Sequence, residues 1–307
     1  MTKVFIDGSA GTTGLRIVDR LSQREDLELI ILPDEVRKDP TARADALSSA
    51  DIAFLCLPDD AAKESAQLAK GMKVKIIDTS TAHRTDPNWV YGMPELAGQT
   101  EKLLASSRIA NPGCHASGFV ALVAPLVEQG ILPADAALTC FSLTGYSGGG
   151  KSMIADYESA DRSPLLGGPR QYALTQSHKH LKEMVALCGL SVSPVFCPIV
   201  GDFYSGMEVT VPLFAKDIKG SLEDIKALYR SYYQNGLIHF TETPDADGML
   251  SAAAFSMRDD MEVSVYGNDD RILLVSRFDN LGKGASGAAI QNMNLLLGLP
   301  QATGLNV

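Results

Sequence analysis

The sequence predicts an α/β protein of two domains, in which a parallel-sheet domain precedes an α+β domain with a mainly antiparallel sheet. Apolar runs alternate with helical stretches through residues 1–113, the pattern of a parallel sheet covered by helices. A glycine-rich turn directly follows the first apolar run. Beyond residue 113, strand-like runs follow one another with partial polar alternation, as in Glu208-Val209-Thr210-Val211, which favours antiparallel pairing.

The first domain is predicted over residues 1–113. Its apolar runs lack polar alternation, which suits strands covered on both faces. Helices between successive strands are expected to make right-handed crossovers. The predicted strands are Lys3–Asp7, Leu27–Leu32, Asp51–Leu57, Val74–Ile77 and Arg108–Ala110, and the predicted helices are Leu15–Arg24, Thr41–Ser49 and Ala61–Lys70.

The second domain is predicted over residues 114–282. It opens with a helix over Ala116–Gln129, which Gly130 ends. A last helix is predicted over Lys283–Leu297. The other predicted strands are Leu138–Thr144, Val195–Val200, Met207–Phe214, Leu237–Thr241, Glu262–Tyr266 and Ile272–Arg277, with helices over Lys151–Ala160, His178–Cys188 and Leu222–Gln234.

Composition limits the class of protein. Of the 307 residues 45% are hydrophobic and 21% charged, as in ordinary soluble proteins. The net charge of −10 argues against nucleic acid and anionic membranes as partners. The five cysteines are scattered, without CxxC or grouping with histidine, so we predict no metal site and no disulfide framework. With no signal peptide and no membrane-length apolar run, we expect a cytoplasmic protein.

The glycine turn predicts a nucleotide site in a Rossmann-type domain. Its spacing, GxxGxxG, is a variant of the dinucleotide fingerprint and lies between a strand and a helix. Glycines let the backbone approach a pyrophosphate, and the helix N-terminus favours its charge. The alternative is a tight turn that binds nothing. The expected cofactor-binding residues here are Gly8, Gly11, Thr12, Thr13 and Gly14.

Two further segments are expected near the cofactor. After the second strand, Asp34 can accept from a ribose 2′-hydroxyl, which indicates NAD. Arg37 and Lys38 can instead pair with a 2′-phosphate, which indicates NADP, and the residues alone leave both open. Ser80 and Arg84 follow the fourth strand, whose carboxyl end faces the ligand crevice of such sheets. The alternatives are a solvated charge run and a simple serine turn.

A nucleophilic cysteine is predicted at Asn111-Pro112-Gly113-Cys114-His115. Pro112 and Gly113 predict a tight bend, in which Gly113 is expected to use angles closed to other residues. Cys114 then lies at a helix N-terminus, where unpaired N–H groups and the helix dipole favour an anion. A thiol there should ionise more readily than free cysteine, whose pKa is roughly 8.5. The alternative is a small buried core residue.

Three other motifs carry chemistry. Ser147, Gly148 and Lys151 belong to a glycine-rich loop before a helix, which resembles an anion cradle without the Walker spacing, or else a mobile linker. One of His178 and His180 can serve Cys114 as a general acid–base, although a single histidine is more often structural. Asn280 offers an amide to a nicotinamide carboxamide, or else helps to cap the last helix.

Together these motifs resemble the shorter subclass of the N-acetyl-gamma-glutamyl-phosphate reductase family, within the group of aspartate-semialdehyde and glyceraldehyde-3-phosphate dehydrogenases. The resemblance is most specific in two motifs, Asn-Pro-Gly-Cys and the later Asp-Asn-Leu-x-Lys-Gly-Ala. Two features depart from it: a short stretch between the second and third strands, and Lys151 where the longer subclass tends to carry Arg.

The resemblance implies a cysteine thioester mechanism on N-acetyl-gamma-glutamyl phosphate, NADPH as reductant and a homo-oligomer, commonly a tetramer. It places Cys114 on the nucleophile and His180, within His-x-His-x-x-Glu, on the acid–base position. It also implies that the C-terminal segment 283–307 packs on the first domain. The expected substrate-binding residues are Arg84, Ser147, Gly148, Lys151, His178 and Glu183.

Two other functions remain open at this level. Aspartate-semialdehyde dehydrogenase would use the same chemistry on a shorter substrate with a free amine. A nucleotide-binding regulatory protein without catalysis would not need the intact pair Cys114 and His180, which argues against it.

Overall fold

The structure, a computed structural model, describes all residues 1–307 and divides the chain into two compact units. Unit 1 comprises Met1–Pro112 and Ala285–Leu305. Unit 2 comprises Gly113–Gly284 and Asn306–Val307. No helix has both the length and the apolar composition needed to cross a membrane.

Unit 1 is built on a parallel sheet. Its elements through residue 110 are β1 (Thr2–Asp7), α1 (Thr12–Leu21), β2 (Leu27–Ile30), α2 (Pro40–Ser49), β3 (Ile52–Leu55), α3 (Asp59–Leu68), β4 (Lys75–Asp78), β5 (Val90–Tyr91), α4 (Gln99–Leu104) and β6 (Arg108–Ala110). The six strands lie in the order β2-β1-β3-β4-β6-β5, and all their pairings are parallel. The central strand β3 is buried along its whole length, as its uninterrupted apolar run predicts.

Unit 2 carries a seven-stranded mixed sheet. Its elements are α5 (Cys114–Glu128), β7 (Thr139–Gly145), α6 (Gly150–Glu158), β8 (Arg170–Gln171), α7 (His180–Cys188), β9 (Val195–Gly201), β10 (Met207–Phe214), α8 (Leu222–Tyr232), β11 (Ile238–Phe240), β12 (Met261–Gly267) and β13 (Arg271–Phe278). The strand order is β11-β12-β13-β10-β7-β9-β8. Four pairings are antiparallel, and β11–β12 and β7–β9 are parallel.

The last helix, α9 (Gly287–Leu296), belongs to unit 1, where it packs against α4 and β4. The predicted start at Lys283 was wrong, because one π-helical turn, Gly282–Ser286, precedes the α-helix. Asp279 initiates this turn: its Oδ1 accepts the N–H groups of Leu281 and Gly282, each at 2.7 Å. A side-chain cap before Lys283 is the physical reason for the irregular start.

Helix α5 is almost wholly buried and contains a proline that its surroundings accommodate. Pro125 has no N–H, so the carbonyl of Ala121, four residues earlier, loses its helical partner. The hydroxyl of Tyr233, which follows α8, donates to Ala121 O at 2.6 Å. The tyrosine therefore supplies the hydrogen bond that the proline removes, and it anchors α8 to the helix that begins with Cys114.

We expect Tyr233→Phe to lower the free energy of unfolding by about 1–3 kcal/mol, because it leaves the buried carbonyl of Ala121 without a donor. Urea unfolding followed by circular dichroism measures this. Tyr232→Phe is the matched control: its hydroxyl donates to the exposed carboxylate of Glu128, and its loss should cost about 0.5 kcal/mol or less. Equal effects of the two substitutions would contradict the role of Tyr233.

Candidate active site

Cys114 is the first residue of α5, and its side chain is half-exposed. Gly113 before it has φ −84° and ψ 145°, an extended conformation that any residue adopts, so the special angles expected of Gly113 are not used. Gly284 lies against the cysteine, since a Cβ built there would be 2.9 Å from Cys114 Cβ. A larger residue at position 284 would press on the thiol-bearing residue.

A buried hydrogen bond joins the N-termini of α5 and α7. Gly113 N–H donates to Glu183 Oε1 at 2.7 Å, and Glu183 is only 2% exposed. Glu183 lies in the first turn of α7, so its carboxylate is close to the positive ends of both helices. His180, the first residue of α7, is three residues earlier and shares this face of the helix. The bond therefore turns the His180 face of α7 toward the start of α5.

Three imidazoles gather next to this bond. The ring centroid of His115 lies 5.5 Å from that of His180 and 5.8 Å from that of His178, and the last two are 4.8 Å apart. His178 precedes α7, and its Nδ1 accepts the N–H of His180 at 3.2 Å, so the helix begins two residues later than predicted. Burial and the charge of Lys179 lower the pKa of His178. No group of three or more His, Cys, Asp or Glu side chains is arranged to hold a metal ion.

The structure adds two residues that the sequence analysis missed, His115 and Tyr172. His115 Nδ1 lies 2.6 Å from Ser142 Oγ, and its Nε2 lies 2.6 Å from the hydroxyl of Tyr172, 57 residues away along the chain. Burial lowers the pKa of His115 to about 3. The ring of Tyr172 lies 6.0 Å from the rings of both His115, the neighbour of Cys114 in the chain, and His178. Burial raises the pKa of Tyr172, and the charge of Cys114 raises it further. No local pattern marks this pairing, because it depends on long-range packing.

The glycine-rich loop brings Ser147 and Asn280 together. Ser147 is buried, and its Oγ accepts from Asn280 Nδ2 at 3.0 Å, while Asn280 Oδ1 accepts the N–H of Gly206 at 2.9 Å. Both ends of the Asn280 amide are thus engaged inside unit 2. Gly148 and Lys151 are exposed where the loop passes into α6, and they remain accessible to an anion.

The glycine turn of unit 1 borders a cavity of about 480 Å³, which also contains Arg37 and Lys38 but not Asp34. Gly8 and Gly14 are required by the fold itself, because a Cβ would overlap Cys56 O at Gly8 and Gly8 O at Gly14. Around Gly11 the nearest atom would be 3.6 Å away, so the protein leaves room there. Thr12 and Thr13 open α1 beside this turn. The space that a side chain at Gly11 would otherwise occupy is suitable for a cofactor pyrophosphate.

A buried ion pair supports this cavity, and sequence reasoning missed it. Arg43 and Asp7 are 4% and 3% exposed, and Arg43 Nε donates to Asp7 Oδ2 at 3.1 Å. Ser65 Oγ donates to the same oxygen at 2.7 Å. The pair fixes the end of β1, from which the glycine turn departs, but the residues come from three separate elements and share no local motif.

Ser80 and Arg84 stabilise the segment after β4. Ser80 donates to the buried carboxylate of Asp78 through its N–H at 2.9 Å and its Oγ at 2.8 Å. Arg84 donates to the carbonyls of Asn111, at 2.9 Å, and Thr79, at 3.1 Å. These bonds position both residues at the carboxyl end of the sheet in unit 1.

We expect iodoacetamide to alkylate Cys114 before the other cysteines near neutral pH. Burial raises the pKa of Cys56 to about 12 and also raises the pKa values of Cys140 and Cys188. Cys197 is half-exposed on a strand and lacks a helix N-terminus. Peptide mass spectrometry at timed intervals measures the order, with Cys114→Ser as control. Earlier labelling of Cys56 or Cys140 would contradict the assignment.

Comparisons with known proteins agree with this architecture. Residues 3–103 match the family model described as the NAD binding domain of semialdehyde dehydrogenase, and residues 114–280 match its dimerisation domain. Among solved structures, aspartate semialdehyde dehydrogenase II from Vibrio cholerae, complexed with ASA, covers 97% of this chain and 98% of its own, with a TM-score of 0.73. Its 17% identity means that this likeness shows the fold alone.

Curated relatives are much more similar in sequence. N-acetyl-gamma-glutamyl-phosphate reductase 2 of Nostoc sp. is 46% identical over 99% of both chains. N-acetyl-gamma-glutamyl-phosphate reductase 2 of Pseudomonas putida is 44% identical over 98% of both chains. N-acetyl-gamma-glutamyl-phosphate reductase of Brucella ovis is 44% identical over 96% of this chain and 99% of its own. The chain, an oxidoreductase that binds a nicotinamide cofactor, therefore belongs to the N-acetyl-gamma-glutamyl-phosphate reductase family.

Proposed function

We propose that the protein reduces N-acetyl-gamma-glutamyl phosphate to N-acetylglutamate semialdehyde in arginine biosynthesis, with NADPH as reductant and release of phosphate. One observation carries this proposal: a half-exposed cysteine at a helix N-terminus, to which the Gly113–Glu183 bond directs the His180 face of α7. An acyl phosphate is an activated acid that a thiolate attacks readily. The reductases named above supply the identity of the acyl group.

In the first step the Cys114 sulfur attacks the acyl carbon. A carbon–sulfur bond forms, the carbon–oxygen bond to phosphate breaks, and phosphate leaves with that electron pair. His180 takes the thiol proton, so that the nucleophile is the thiolate. The product is a thioester on Cys114. His178 accepts the His180 N–H and so fixes the position of the helix start that carries the acid–base residue.

In the second step the thioester carbon is reduced. The nicotinamide cofactor, when bound in its reduced form, supplies the hydride. Negative charge then develops on the carbonyl oxygen, and N–H groups in the first turn of α5 can hold it, each worth typically ~3–4 kcal/mol. Those of His115 and Ala116 lack partners within the helix. Gly113 N–H is not one of these donors, because it already donates to Glu183.

In the last step the hemithioacetal collapses. The carbon–sulfur bond breaks, the aldehyde leaves and the sulfur departs as a thiolate. His180 first gives its proton to the oxyanion, which makes the hemithioacetal hydroxyl. As the carbon–sulfur bond breaks, His180 takes that proton back from the hydroxyl, and it then returns the proton to the sulfur, which restores the starting state.

The cavity in unit 1 supports NADPH over NADH. Arg37 and Lys38 line it beside the glycine turn, whereas Asp34 does not and is 82% exposed at its side chain. The two carboxylates that line the cavity, Asp7 and Glu64, are both paired with Arg43, whereas Arg37 and Lys38 are cations suited to a 2′-phosphate. Gly8, Gly11, Thr12, Thr13 and Gly14 are proposed to hold the pyrophosphate, with Ser80 and Asn280 in supporting positions.

Substrate anions are proposed to meet Arg84, Gly148 and Lys151. Gly148 and Lys151 are exposed at the start of α6, where a helix N-terminus and an ammonium group favour negative charge. Ser147 and Glu183 are buried and bonded to protein groups, so we propose that they shape the substrate site from behind. The substrate has a carboxylate and a phosphate for these cations to bind.

We further propose a cytoplasmic homotetramer. The matched dimerisation domain supports self-association, and so do large apolar side chains left exposed on strands of unit 2, namely Phe141, Val195, Phe214 and Leu273. All five cysteines are free, which suits a reducing compartment.

We expect Cys114→Ser to lower kcat with N-acetyl-gamma-glutamyl phosphate and NADPH by on the order of 10³-fold or more, as for other covalent nucleophiles. Cys197→Ser is the control and should keep its activity. Spectrophotometry of NADPH oxidation measures both, and aspartyl phosphate is tested in parallel. Turnover of aspartyl phosphate alone would refute the substrate assignment, and equal rates for wild type and Cys114→Ser would refute thiol catalysis.

We expect Arg37→Ala to raise the Michaelis constant for NADPH by roughly tenfold and to leave that for NADH unchanged, because a charged hydrogen bond to the 2′-phosphate is lost. Asp34→Ala is the matched control, since it removes the ionic partner of Arg37 and not the arginine. Steady-state kinetics with both cofactors measures the ratio. A rise for NADH in Asp34→Ala would indicate an NAD enzyme instead.

A further inference from the structure

The groups around His115 determine the direction of its hydrogen bonds. Ser142 is fully buried, and its Oγ has one hydrogen-bond partner, His115 Nδ1, at 2.6 Å. A buried hydroxyl whose hydrogen finds no acceptor is strongly destabilising. The Ser142 hydroxyl therefore donates to Nδ1, which must be the acceptor nitrogen of the ring.

His115 consequently donates to Tyr172. Because burial lowers the pKa of His115 to about 3, the ring is neutral near pH 7 and carries a single N–H. With Nδ1 as acceptor, that hydrogen is on Nε2 and is donated to the Tyr172 hydroxyl oxygen at 2.6 Å. The phenol thus receives a hydrogen bond from His115 and keeps its own hydrogen for another acceptor.

The backbone after Tyr172 keeps the phenol in place. Ala173 and Gln176 have left-handed φ values of 53° and 56°, which non-glycine residues rarely adopt. The side chain of Gln176 compensates for this strain by bonding both the N–H of Phe196, at 2.9 Å, and its carbonyl, at 2.8 Å. Strained backbone that the surroundings hold in place is typical of functional sites.

We propose that His115 is a positioning residue, whose Nε2–H holds the Tyr172 hydroxyl so that the phenol donates a hydrogen bond to the acyl oxygen on Cys114. The inference rests on the proposed thioester chemistry. The Tyr172 hydroxyl then gives the oxyanion a side-chain hydrogen-bond donor in addition to the first-turn backbone amides of α5. Tyr172 becomes a catalytic residue that contacts the substrate, and His115 acts only through it.

Two substitutions of His115 separate this role from simple packing. In His115→Asn the amide replaces Nδ1 and can still bond Ser142, but it does not reach Tyr172. In His115→Gln the amide reaches the position of Nε2. We expect His115→Asn to lower kcat by roughly 10²-fold with less than about threefold change in KM, as for a misplaced catalytic group. His115→Gln should recover at least tenfold of that loss. His239→Asn, on β11, is the control for the general effect of replacing a histidine with asparagine.

A double-mutant cycle completes the test. Tyr172→Phe should lower kcat as much as His115→Asn, and the double variant should be no slower, because both changes remove the same hydrogen bond. Iodoacetamide labelling of Cys114 in each variant checks that the thiol site is intact. Provided that the wild type is active, two results would overturn the inference. One is an equal loss of kcat in His115→Asn and His115→Gln, and the other is an additive loss of kcat when His115→Asn is combined with Tyr172→Phe. Absence of turnover in the wild type would instead overturn the proposed function and the inference with it.

Discussion

The bond from Gly113 N–H to the Glu183 carboxylate is the contact on which the candidate active site depends. It is 2.7 Å long, buried and charge-assisted, which makes it stronger than an ordinary hydrogen bond. A buried carboxylate is costly unless it is well solvated by the protein, and here two helix N-termini provide that solvation. Because the same two termini carry Cys114 and His180, the bond that stabilises Glu183 also aligns the proposed nucleophile with its proposed acid–base partner.

This arrangement has an electrostatic consequence for the thiol. The positive end of α5 favours an anion at Cys114, but Glu183 places a negative charge at the same end. The neutral imidazole of His115 adds no positive charge, and the phenol of Tyr172 is held in its protonated form by burial. The protonated phenol can therefore act as a hydrogen-bond donor, which suits the proposed oxyanion that exists only during the reaction.

The two glycine-rich segments use glycine for different reasons. In unit 1, Gly8 and Gly14 are required because backbone atoms approach too closely for a Cβ, whereas Gly11 leaves space that a ligand can fill. In unit 2, Gly284 leaves space for Cys114 itself. A glycine pattern in the sequence can therefore indicate either a tight turn or a binding surface, and only the surrounding atoms distinguish the two.

Sequence reasoning identified most elements because their signals are local. The apolar runs of β1, β3 and β4 and the helical face of α5 are continuous in sequence, so periodicity and glycine punctuation were sufficient. The two-residue strands β5 and β8 and the short helix α4 were missed, since they are too short to show a period. The start of α7 was placed at His178 instead of His180, because the N-cap is Lys179, which is not one of the usual capping residues, and His178 stays outside the helix and accepts the N–H of His180.

The sequence by itself determined the class of the fold, the position of Cys114 at the start of a helix, the glycine turn and the family, because each is encoded by neighbouring residues. Tertiary structure decided which cations line the cavity beside the glycine turn and which side chains gather near Cys114. Asp34 and Arg37 are three residues apart yet differ in access to that cavity, and His115 meets Ser142 and Tyr172 only after the sheet forms. Such contacts depend on packing between distant segments, which no local pattern encodes.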